Sequence, residues 1–180
     1  MNALDALSQA WKGWGEIAAG KAHAARNFTP TRNGLGIAIF WFVIALLLST
    51  AVQSLAVGMP AVEQILLGLL AQGLTLAVLA LAIAQSLRFL KIEQPLTALL
   101  VPIVYAMGLM FILAIPLTLA GPTFALLAVF GLAWLIYRAA RVLADMRQGT
   151  AFAFALLCLM VLVVVPNALY MVILQPPSPA

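Results

Sequence analysis

Five apolar runs, at roughly 34–57, 62–87, 96–120, 123–144 and 151–174, take up most of this chain. A helix needs about 20 apolar residues to cross roughly 30 Å of hydrocarbon. Inside lipid only helices and closed barrels satisfy their own backbone hydrogen bonds. Runs of this length, separated by short polar segments, leave little chain for anything but crossing helices. Hydrophobic residues make up 66% of the chain and charged residues 8%, against about 25% charged in a typical soluble domain. The sequence therefore predicts an all-α fold, a polytopic integral membrane bundle of five transmembrane helices over 34–174. An amphipathic cytoplasmic lead (1–33) precedes it and a short external tail (175–180) follows.

The basic residues orient the bundle. Lys12, Lys21, Arg26 and Arg32 precede the first run, and Arg88 and Lys91 separate the second from the third. Arg138, Arg141 and Arg147 lie at or after the end of the fourth, which accounts for all nine Lys and Arg. Positive charge is retained on the cytoplasmic side, so the amino terminus is expected inside and the carboxyl terminus outside, as in a bacterial inner-membrane protein with a periplasmic tail. Nine basic groups split over three segments form no continuous patch, so the pI of 9.7 reflects retained charge and implies no nucleic-acid partner. Cys158, the single cysteine, excludes an internal disulfide and reads as an apolar packing residue. The first run lies behind a long polar lead and exceeds a signal h-region of about 7–15 residues, so it reads as a crossing and not as a cleavable signal.

Within the lead, Leu4, Leu7, Trp11, Trp14 and Ala18 recur at helical spacing, with Asp5, Ser8, Gln9, Lys12 and Glu16 on other faces. Trp11 and Trp14 are expected to anchor this helix in the membrane interface; docking onto another protein is the alternative. Gly13, Gly15 and Gly20 each cost such a helix roughly 1 kcal/mol relative to alanine. Thr29-Pro30 ends it, because proline disfavours helical geometry in the residue before it, and Thr31 to Gly34 offer capping groups for the first crossing.

Several polar residues lie inside the runs. Outer connections as short as 58–61 and 121–122 are expected to make consecutive crossings antiparallel neighbours. Ala45, Ser49 and Gln53 share one face of the first crossing, and Ala80 and Ala84 one face of the second, which suits close helix packing. Gln64, Gly68, Gln72 and Thr75 form a stripe on the second crossing. A buried amide without a partner costs several kcal/mol, so Gln72 is expected to face protein. Gln53 is one candidate partner, and Asn167, closer in depth, is the better one. Pro102, Pro116 and Pro166 interrupt the third and fifth crossings; Asn167 could satisfy the carbonyl that Pro166 frees, or face a cavity. Arg138 is only fifteen residues beyond Thr123, about 22 Å along a helix. It is expected to snorkel to the interface, with pairing to Glu93 or Asp145 as the alternative. Glu63 falls in a first helical turn, where the dipole favours it.

Catalytic chemistry finds little support. His23 is the only histidine, which excludes bis-histidine haem ligation and a His-x-x-x-His zinc pair. No metalloprotease, serine-hydrolase or phosphate-loop pattern is present, and the five acids are dispersed. No enzyme activity, catalytic residue, metal or cofactor is therefore expected, nor a mid-membrane carboxylate for proton coupling.

A cytoplasmic lead carrying Trp14-Gly15-Glu16-Ile17, five helices with very short outer turns and an external carboxyl terminus together resemble the bacterial branch of the Yip1-domain membrane proteins. The Asp-Leu-Tyr-Gly-Pro element of eukaryotic members is absent, so no functional residue is carried over. The resemblance implies a role in membrane organisation or trafficking. Two functions follow as expectations: a non-catalytic membrane protein that associates with lipid and with other membrane proteins or its own copies, or a small channel or transporter subunit with a polar path along Gln64, Gln72 and Asn167.

Overall fold

A computed structural model describes residues 3–58, 60–120 and 122–174, and every regular element among them is helical. Helix α1 (Ala3–Ala18) leads through a 3₁₀ turn (Ala22–Asn27) into α2 (Arg32–Val57). Then follow α3 (Val62–Phe89), α4 (Leu96–Ala120), α5 (Pro122–Leu143) and α6 (Gln148–Leu174). Among the described residues, four helices are long and apolar enough to cross a membrane: Arg32–Leu55, Val62–Phe89, Leu96–Leu117 and Gln148–Leu169. Helix α5, which carries Arg138 and Arg141 in its last turns, is not among the four.

Helix α4 is the hub. Inside the protein, 56% of its most apolar window is buried, against 22% for α2 and 17% each for α3 and α6. It packs against α2 on one side and α5 on the other; α5 packs on α6, α6 on α3, and a lighter contact between α3 and α4 closes the ring. Helices α2 and α4 run parallel. The Thr97 hydroxyl donates to the Pro30 carbonyl at 2.7 Å where both helices begin, and Phe42 meets Phe111 edge-on farther along.

This arrangement corrects the expectation that the first two crossings are neighbours. Despite their short connection, α2 lies on α4 and α3 mainly on α6. The reason is where each helix is apolar and small. Ala38, Phe42, Ala45 and Ser49 form one buried ladder on α2, and Gly108 of α4 lies close against Phe42 and Ala45 of that ladder. On α3 the buried ladder is Ala71, Thr75, Leu79, Ile83 and Leu87. Gly58, at φ 96°, lets the chain swing away between the two.

Helix ends show how charge collects at one end of the bundle. The Thr31 hydroxyl caps α2, accepting from the Gly34 N–H at 3.1 Å as its sequence suggests. Helix α3 closes with Ile92 N–H on Leu87 O and Lys91 N–H on Arg88 O, a Schellman motif in which Lys91 holds φ 54° in place of the usual glycine. Contacts from Pro30 to Thr97 and from Ala18 to Arg138 bring the lead, the start of α4 and the end of α5 together. The basic residues of those segments therefore share one end.

Candidate functional site

The lead is built into the bundle. Ala6, Ala10, Trp14 and Ile17 form the buried face of α1, while Asp5, Ser8, Gln9 and Lys12 are exposed. Trp14, read from sequence as an interfacial anchor beside Trp11, is 5% exposed and packs edge-on against Phe28, which in turn meets Tyr105 of α4. Trp11 keeps an exposed face, as does Leu4. The sequence stripe is thus displaced by about one residue, because the small residues Ala6, Ala10 and Gly13 let α1 approach the core on the adjacent face. At Gly13 an added methyl group would fall on the Phe28 ring. Glu16 braces the return of the chain, accepting from the Asn27 amide at 2.6 Å and lying 3.5 Å from His23.

Arg138 is held by the lead and not by Glu93 or Asp145. Its guanidinium donates through Nη2 to the Ala18 carbonyl at 2.8 Å, while Trp134 lies 6.0 Å away on its own helix. Helix α1 has no basic residue in its last turn, and α5 supplies the cation that its carbonyl end favours. Gly20 makes the contact possible. It holds φ 78° in a Schellman closure formed by Gly20 N–H to Ile17 O and Lys21 N–H to Glu16 O. Any side chain there would strike Arg138. The Arg138 Nε is buried without a hydrogen-bond partner.

Between α1 and the α2–α4 pair runs a groove of about 150 Å³. Leu7, Ala10, Trp11 and Trp14 form one wall, Trp41 to Leu48 of α2 a second, and Tyr105 to Ile112 of α4 the third. Sequence reading missed it, since no single segment signals it; only the parallel pairing of α2 with α4 creates the floor.

The intramembrane amides are not brought together. Gln53 is exposed and donates to Ser49 on its own helix at 3.0 Å. Gln64 is exposed in the opening turn of α3 and Gln72 is half-buried. Asn167 is exposed and donates to the Val163 carbonyl at 2.7 Å, one position along from the Leu162 carbonyl that Pro166 frees. The expected pairs of Gln72 with Gln53 or Asn167 do not form. Among the described residues the buried polar ones are instead Ser49 and Thr75, at 2% and 1% exposure. Thr75 lies four residues after buried Ala71 and satisfies itself on the Ala71 carbonyl, whereas Gln72 falls on the shoulder of that ladder.

Among the described residues no group of three His, Cys, Asp or Glu side chains could hold a metal ion. Cys158 is buried in α6. Compared with known protein families, curated proteins and solved structures, the chain finds no match.

Proposed function

We propose that this chain is a non-catalytic integral membrane protein with a Yip1-like plan, five crossings and an internal amino terminus, which assembles with other membrane components through the outer faces of α3 and α6. One observation carries the reading. Both helices leave most of their span uncovered, and those uncovered or half-covered faces bear Gln64, Gln72 and Asn167. Lipid offers an amide no partner; a neighbouring helix does, at about 1 kcal/mol per contact. Exposed Leu66, Leu70 and Leu74 surround the amides on α3, as an association face requires. A channel or transporter subunit is less well supported, because Gln64 and Asn167 point out of the bundle and line no shared interior path.

Cysteine substitution at 72 in a Cys158→Ala background tests the reading. Oxidation in native membranes is expected to link chain to chain or chain to partner, and Gln72→Leu is expected to weaken the same assembly in native mass spectrometry. Monomer alone in both measurements refutes it, and loss of a solute flux with Gln72→Leu would favour the transport alternative.

A further inference from the structure

We infer that the inner rim of the bundle is a docking surface for the headgroups of anionic phospholipids, held first by Arg32, Arg88 and Arg147. Their placement carries the inference. Of the four apolar spans, those of α2, α3 and α6 are the least covered by protein, at 22%, 17% and 17% buried. Each meets its inner boundary in an arginine. Arg32 opens Arg32–Leu55, Arg88 is next to last in Val62–Phe89, and Arg147 directly precedes Gln148–Leu169. The span of α4, 56% buried, starts at Leu96 with no basic residue between Ile92 and its first turn. The three guanidinium groups thus stand where lipid surrounds the protein, at the depth where hydrocarbon gives way to phosphate.

All three are exposed, as are Lys12, Lys21 and Arg26 of the lead and Lys91 after α3. Among the described residues none of these cations has a carboxylate partner; the one acid–base contact joins Glu16 to His23, and Glu16 also holds Asn27. Arg138 and Arg141, by contrast, are engaged by the Ala18 and Met146 carbonyls. Retention of positive charge on the inner side fixes only the side of the membrane. It does not require that the cations be left unpaired at the span ends. A phosphate diester supplies the missing anion, since a guanidinium donates to two of its oxygens at once. The lead is held against the bundle by Arg138 on Ala18 and Thr97 on Pro30. Lys21 and Arg26 are therefore presented beside the rim with little further ordering cost. A soluble acidic protein fits less well, because it could reach the lead but not groups level with the lipid phosphates.

The inference rests on the membrane placement but not on assembly through α3 and α6. The test uses the full chain in vesicles of phosphatidylglycerol and phosphatidylcholine with identical acyl chains, and native mass spectrometry reads the lipids retained. A basic residue beside an anionic surface is worth about a fivefold preference, so phosphatidylglycerol is expected to be retained at least tenfold over phosphatidylcholine. That ratio is expected to fall several-fold when salt is raised, because the charges are exposed and screened. Arg88→Gln with Arg147→Gln is expected to lower it at least fivefold at an unchanged thermal midpoint, and Arg88→Lys with Arg147→Lys to keep most of it. Glu63→Gln, at the opposite end, is expected to leave it unchanged. Equal retention of the two lipids, or a preference indifferent to salt, overturns the docking surface. Insensitivity to the paired glutamine substitutions overturns the role of the arginines. Displacement of phosphatidylglycerol by equimolar glycerophosphoglycerol, the headgroup without acyl chains, overturns lipid as the occupant in favour of a soluble phosphate ester. A chain that fails to enter the vesicles overturns the membrane placement as well.

Discussion

At the scale of single residues, Arg138 shows how one side chain takes a place that neither charge counting nor depth assigns to it. A guanidinium at the end of a membrane helix is ordinarily explained by snorkelling. Here it closes α1, and the nearby left-handed Gly20 leaves the room it needs. Hydrogen bonds to charged groups contribute about 1.5–3 kcal/mol, so Arg138→Met is expected to lower the thermal midpoint in detergent by several degrees. Gly20→Ala is expected to do the same, since a left-handed alanine costs about 1–2 kcal/mol and its methyl group displaces the guanidinium. Because both changes break one contact, their combination should cost clearly less than the sum. Additive losses in a double-mutant cycle would mean that the two residues act independently.

At the scale of elements, the sequence is most legible where a pattern lies within one helix. The long apolar runs and the Thr31 cap follow from local chemistry and stand close to their expected positions, whereas α1 ends at Ala18 in the Gly20 closure, well before the expected break at Thr29-Pro30. Partner choice does not follow from local chemistry. In the pairing of α2 with α4, Gly108 meets Ala45 across sixty-odd residues, and a four-residue connection suggests a different neighbour. The glycines of α1 show the same limit, because helix propensity penalises them alike while packing separates them. Gly13 lies against Phe28, whereas nothing lies within contact distance of the position a side chain would take at Gly15. The two alanine substitutions are therefore expected to have opposite signs. Gly15→Ala should stabilise the docked helix by about 0.5–1 kcal/mol through propensity alone, and Gly13→Ala should push Phe28 away and loosen α1. Hydrogen exchange of the α1 amides reads the difference: slower in the first variant and faster in the second, with α4 unchanged in both. Faster exchange in both would mean that α1 is not held by the Phe28 contact.

At the scale of the whole molecule, topology turns on α5. Its 22 residues span about 33 Å at 1.5 Å per residue, enough to cross, yet it ends in the arginines that hold the lead. Helices α2 and α4 run parallel, so α4 starts at the end of the bundle that carries the lead. Helix α5 begins where α4 finishes and returns Arg138 to Ala18. That path keeps Arg138, Arg141 and Arg147 with the six basic residues before them. If α5 failed to cross, the three arginines would be left on the opposite side, against the retention of positive charge in the cytoplasm. Five crossings place residue 180 outside and four place it inside. A reporter that is active only outside the cytoplasm, joined after residue 180, is therefore expected to be active, and one that is active only inside is expected to be silent. A second pair joined after Lys91 should give the reverse result. Cytoplasmic activity at both positions would mean that α5 does not cross and that the charge asymmetry is broken at its end.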